Sequence, residues 1–233
     1  LALALALTLI LALALALTLT PAKVLRSVLR AMTAHSRCVD LQIFAVSVLV
    51  YLLKSYDPDS AELTDHDADT LMQTVRALRV AVECMHLPSA ETQHAHSRGA
   101  PDAERLGFAN AAVQIVLLVL HRCGERPTPA AVIGRRDALL HGSGARQLLL
   151  LVHLSMSKGA RDAENQMCAM WALFYLTANT APIRTAAELE ALRDEAHPAN
   201  IAATLGFAGL VMEALVAHGE EHEELVNAGR ACM

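Results

Sequence analysis

Two stretches of this chain repeat one another. Met32 to Leu52 reads MTAHSRCVDLQIFAVSVLVYL, and Met156 to Leu176 reads MSKGARDAENQMCAMWALFYL. In each, a methionine precedes a glutamine by ten residues (Gln42, Gln166). Each glutamine is followed at equal offsets by an alanine (Ala45, Ala169) and two leucines (Leu49 and Leu52, Leu173 and Leu176). Each copy reads as the end of one helix, a tight polar turn, and a second, largely apolar helix. A third, partial copy runs from Leu215-Val-Ala-His218 through Ala228 and Cys232. A recurring helix–turn–helix unit cannot bury its apolar face alone, so it must stack on its neighbours. This constrains the fold more than any other feature of the chain.

Composition agrees with stacked helices. Ala and Leu dominate and only 3% of the 233 residues are aromatic, whereas strands favour β-branched and aromatic side chains. With 54% hydrophobic and 18% charged residues, the chain has the makings of an ordered core. A formal net charge of −5 gives no electrostatic reason to expect nucleic acid. The five cysteines (Cys38, Cys84, Cys123, Cys168, Cys232) form no C-x-x-C pair. Four of them lie in apolar helical runs, as small buried side chains in a reducing compartment do.

Residues 1–21 form a separate low-complexity segment, in which a Leu/Ala decamer is repeated almost perfectly and carries no charge. The favoured reading is helices preceding the repeats, in real or placeholder sequence, since Ala and Leu are strong helix formers. Its length also suits a membrane span, although no Trp/Tyr belt flanks it and only Lys23 and Arg26 follow. The missing initiator Met, and an end at Ala231-Cys232-Met233 without a stop signal, suggest a piece of a longer protein.

From residue 22 onward the expected elements are helical. An amphipathic helix over 23–35 sets Val24, Leu25, Val28, Leu29 and Met32 opposite Lys23, Arg26 and Arg30. Residues 39–54 are apolar nearly all round, as an inner helix covered on both sides would be. Further helices are expected at 71–87, 104–122, 130–140, 146–157, 163–178 and 201–218, with Asn200 capping the last of these, and an exposed, charge-alternating helix at 186–196. Taking Ala45, Ala112, Ala169 and Ala228 as equivalent gives about four repeats, some longer than the roughly 40–47 residues usual for such units. Insertions at 55–70 and 88–103 account for the excess and are the expected partner-specific loops.

At Met32/His35/Gln42/Ala45/Leu49/Leu52 and Met156/Gln166/Ala169/Leu173/Leu176 the chain resembles divergent, protist-like armadillo repeats. Trp171-Ala172-Leu173 is similar to the family's Trp-Ala-Leu in the third helix, and Gly206-Phe-Ala-Gly-Leu210 to its second-helix opening. The resemblance covers residues 22–233 and implies an all-α, armadillo/HEAT-like right-handed α-solenoid acting as a scaffold or adaptor. Trp171 is the only Trp and no Asn recurs at its offset, so the Asn and Trp ladders of peptide-binding members are not reproduced.

The patterns that could carry chemistry each have a plainer reading. Asp65-His66-Asp67-Ala68-Asp69 opens like a calcium loop, but Thr70 replaces the expected Gly and Arg76 the closing Glu; a solvated loop with Asp69 as a helix cap suffices. His218-Gly-Glu-Glu-His222 lacks the second His of H-E-x-x-H, where Val226 stands, and reads as an inter-helix turn. His86, His94 and His96 lie on a connection without firmly spaced acidic or thiolate partners. Gly142-Ser143-Gly144 after His141 is neither a nucleophile elbow nor a phosphate loop. Arg135-Arg136 and Arg26/Arg30 read as solvated helix faces, and Trp171, Phe44 and Phe174 as core.

The expectation is a non-catalytic scaffold within a larger protein assembly, with no catalytic, cofactor-binding or metal-binding residues and no identifiable partner-binding ones. The compartment expected is cytoplasmic, in a cytoskeletal or ciliary setting that rests only on the protist-like form of the repeats. The alternatives are a membrane-anchored subunit of an organellar complex held by residues 1–20, and a metal-dependent enzyme using the His-rich loop.

Overall fold

The computed structural model describes residues 21–55, 65–86, 102–120, 129–141, 144–178, 194–195 and 197–233. Among these residues the fold is all-α. Ten helices follow in order: α1 (Pro21–Ala34), α2 (Val39–Ser55), α3 (Asp65–His86), α4 (Asp102–Leu120), α5 (Pro129–Leu140), α6 (Gly144–Lys158), α7 (Ala163–Thr177), α8 (Pro198–Thr204), α9 (Phe207–His218) and α10 (Glu223–Cys232).

The helices contact one another in two rows. One row runs α1, α3, α6, α9 and the other α2, α4, α7, α10, each helix touching the one before and after it; the short α5 and α8 pack against the sides of α6 and α7. The pairs α1–α2, α3–α4, α6–α7 and α9–α10 link the rows. One continuous core results, with Met32, Leu49, Leu78, Phe108, Ile115, Leu149 and Met170 among its fully buried side chains.

The repeated glutamine explains how two of these pairs, α1–α2 and α6–α7, turn. A helix ends with carbonyls that have no intrahelical partner, and here those ends are buried. Gln166, 2% exposed, donates its side-chain N–H to the carbonyl of Met156 at 2.8 Å. Gln42, fully buried, donates to Met32 O at 2.9 Å and to His35 O at 3.0 Å. In both pairs, therefore, a side chain early in the second helix closes the last turn of the first. The methionine–glutamine spacing of ten residues is the reach of that bond.

The turns share one closing bond. His35, Gly159 and Gly219 each donate a backbone N–H to the carbonyl four residues earlier, Ala31, Ser155 and Leu215. This register aligns α9–α10 with α6–α7 at an offset of sixty residues. It sets Gly229, not Ala228, at the position of Ala169, and Val226 where a glutamine would stand. The change to Gly229 is a packing exchange. A Cβ there would lie 2.8 Å from Leu215 Cδ2, and Leu215 occupies the place of the smaller Ser155.

Several expected boundaries move. Helix α3 starts at Asp65 rather than Leu71, so the acidic segment enters the helix. The span 201–218 is two helices bent by 69°, because Gly206 takes a left-handed conformation (φ 75°) that glycine adopts without a Cβ penalty. The cap of α8 is His197, whose Nδ1 accepts from Ala199 N at 3.2 Å, and not Asn200. Burial and the nearby Arg136 hold the His197 imidazole below its usual pKa, which keeps it an acceptor. The 186–196 helix falls mostly outside the described residues; Asp194 and Glu195 within it are not helical. Residues 1–20 and the centres of the 55–70 and 88–103 insertions also lie outside them.

Replacing Gln166 by Ala is expected to lower the unfolding free energy by about 1–3 kcal/mol, the cost of leaving a buried carbonyl unpaired. Gln42→Ala should cost a similar amount. Urea unfolding followed by far-UV circular dichroism measures both, with a shifted midpoint and an unchanged slope expected.

Candidate functional groove

The helices α2, α4 and α7 are apolar on more sides than packing needs. In α1 the polar and apolar faces are cleanly divided, whereas α4 and α7 carry apolar residues all round. Part of that surface stays open and forms a groove of about 520 Å³ across the whole row. Lys54 lines it from α2, Gln114, Leu117 and Leu118 from α4, and Met167, Cys168 and Trp171 from α7. Asn227 lines it from α10, with Glu164 and Glu224 adding negative charge. An apolar floor with a few polar groups of both signs is the usual composition of a recognition site.

Trp171 anchors the floor. Its ring meets Phe174 edge-on at 5.8 Å between centroids and Tyr175 at 6.3 Å, and Phe174 meets Tyr175 at 5.4 Å. All three are only partly buried. Partly exposed, mutually supported aromatics present large rigid contact area, which is why such residues concentrate at interfaces. The expectation that Trp171 and Phe174 are core residues is therefore corrected: both are only partly buried, and Trp171 packs on the core and lines the groove. Phe44 departs further, at 48% exposed on an open face of α2, so α2 is not covered on both sides.

Cys168 sits among these side chains, half-buried rather than enclosed. Burial pushes its thiol pKa up; Glu164 and Asp162 add to the rise and Lys54 opposes it. The thiol is thus mostly protonated at neutral pH, the reverse of an activated nucleophile.

The other sequence patterns fall away from the groove. His218 ends α9 and His222 precedes α10, with ring centroids 6.4 Å apart. His218 Nε2 lies 2.8 Å from Ala160 O, tying two successive inter-helix turns together. Among the described residues, no three His, Cys, Asp or Glu side chains converge as metal ligands would. Gly144 begins α6, its neighbours Gly142 and Ser143 lying outside the described residues, as do His94, His96 and the side chains of Asp65–Asp69 and His86. Arg135 is not solvated: it is 5% exposed, because α5 wedges between α3 and α6. Arg136 is partly buried and donates to Ala178 O. In α4, Ala103–Leu120 is long and apolar enough to cross a membrane by length and composition. Its contacts with α2, α3, α5, α6 and α7 account for that apolarity by packing.

Sequence reasoning missed Gln114, Met167, Cys168 and Asn227. The signal that could have found them is an inner helix with more apolar faces than neighbours to cover them. No family model, curated protein or solved structure matches the chain.

Iodoacetamide should alkylate Cys168 more slowly at neutral pH than the same cysteine in the unfolded chain, with a rate rising as pH climbs above the ordinary thiol range. Glu164→Gln should speed the reaction and Lys54→Ala slow it. Peptide-level mass spectrometry of timed samples measures each.

Proposed function

We propose that this chain is a non-catalytic scaffold, an armadillo-like right-handed α-solenoid of about four repeats, whose groove receives a segment of a partner protein. The observation that carries the reading is the groove itself. It is lined from all four helices of one row, and its floor is Trp171 with Leu117, Leu118 and Met167, flanked by Lys54, Glu164 and Glu224. Stacked helical units leave long, ridged surfaces of this kind, and the buried glutamines that hold the pairs at a fixed angle give such a surface its rigidity. The elevated thiol of Cys168 supports binding over covalent chemistry at this site.

A photoreactive amino acid at Gln114 in the 233-residue chain tests the reading. Partner cross-links are expected there and not from Arg161, on the turn between α6 and α7. Trp171→Ala combined with Met167→Glu should abolish the capture while leaving the circular dichroism spectrum unchanged. Cross-links of equal yield from both positions, or capture indifferent to the double substitution, would sink the proposal. The emission of Trp171, the only Trp in the chain, gives a second readout, since occupancy of the groove should shift it to shorter wavelength.

A further inference from the structure

Arginine stays charged in a folded protein, so a buried guanidinium needs acceptors for its N–H groups and an anion for its charge. Among the described residues, Arg135 has neither. It is 5% exposed on α5, the short helix that packs between α3 and α6. Its Nε and Nη2 are buried and meet no hydrogen-bond partner. These two nitrogens share the edge of the guanidinium whose N–H bonds run parallel. That edge is the fork with which arginine grips two oxygens of one oxyanion at once.

The charges nearby are already engaged. Arg136, the next residue, donates from Nη1 to Ala178 O at the end of α7 and from Nη2 to Asp137 at 3.5 Å. On α3, Arg79 pairs with Glu83 at 3.0 Å. Glu83 and Asp137 are the carboxylates whose side chains are described on α3, α5 and α6, so each already faces another guanidinium. Gln147 on α6 has a buried Oε1 without a donor, but a neutral amide oxygen cannot balance a charge. Beside the fork, a Cβ at Gly134 would meet nothing within 4 Å, so the helix surface one residue before Arg135 is open. The residues lining the groove include none from α5, which makes this a separate place in the fold.

We infer that Arg135 binds a small free oxyanion of the phosphate class, two of whose oxygens accept from Nε and Nη2. A free ion is favoured over a carboxylate on another protein. A guanidinium 5% exposed between packed helices lies beyond the reach of a side chain held on a second surface, whereas a small ion can enter. Chloride carries the charge but has one centre, and cannot span the fork. Arg136, one residue on, adds a second positive charge to the same stretch of α5. The bound ion supplies the missing counter-charge and fixes α5, which belongs to neither row of helices, against α3 and α6. An anion that binds the folded chain alone adds stability that grows with its concentration.

Titration calorimetry of inorganic phosphate into the 233-residue chain, in chloride buffer, tests this. The wild type should bind one phosphate per chain. Arg135→Lys keeps the charge but loses the fork, and should weaken the affinity about tenfold or more. Arg135→Met should abolish binding while keeping a native circular dichroism spectrum. Arg146→Lys, at an exposed position of α6, should bind as the wild type does. Thermal unfolding gives a reading that needs no variant: low millimolar phosphate should raise the wild-type midpoint above that in chloride of equal ionic strength. A wild type with neither binding heat nor a raised midpoint overturns the inference, as happens if a carboxylate of the chain or of a partner already fills the fork. So does an Arg135→Lys variant that binds like the wild type, or an Arg146→Lys variant weakened as much as Arg135→Lys, since either marks diffuse surface attraction.

Discussion

Packing two helices side by side through a short turn buries the one part of a helix that cannot satisfy itself, the carbonyls of its last turn. In water those groups cost nothing; against a neighbouring helix each unpaired one is expensive. The chain answers with Gln42 and Gln166, whose amides reach back across the turn to Met32 and Met156 at 2.9 and 2.8 Å. That bond does more than remove a penalty. It ties the start of the second helix to the end of the first at a defined height, and so fixes which apolar faces each pair presents to the next. The first and third of the four pairs that link the two rows carry that registration.

Where the glutamine is missing, neighbouring positions change with it. The last pair has Val226 in its place, and Val216, standing where Met156 does, is exposed. The same pair has Leu215 and Gly229 in place of Ser155 and Ala169, and the larger leucine fills the space that a Cβ at 229 would take. A tie across the turn matters most when the turn is enclosed between neighbours. Here His218 makes the contact with the preceding turn through Ala160 O.

The groove is a by-product of the same stacking. Helices α4 and α7 each touch the helix before and after them in their own row and the helices of the other row, yet one strip of each remains open. A strip that is apolar, aromatic and only partly covered is costly to expose to water. The apolar strip on α4 and α7, with Trp171 braced by Phe174 and Tyr175, is the feature on which the proposed recognition of another protein rests.

Much of the architecture was legible from periodicity. The helix–turn–helix pairs around Met32–Leu52 and Met156–Leu176 and the turn at His35 could be read from residue spacing, because spacing encodes which side of a helix is apolar. Two kinds of information could not be read that way. The break at Gly206 depends on one backbone conformation, and glycine in a helical run permits a left-handed turn without requiring it. Exposure depends on which neighbours exist: Phe44 and Tyr51 have the same chemistry as core residues, and Arg135 the same as a surface one. The sequence by itself therefore determined the helical units and the glutamine that closes their turns, since these rest on contacts within about ten residues. The tertiary structure decided which apolar faces are covered and which line the groove. Burial is a property of the residues brought alongside, and those come from pairs of helices far apart in the chain.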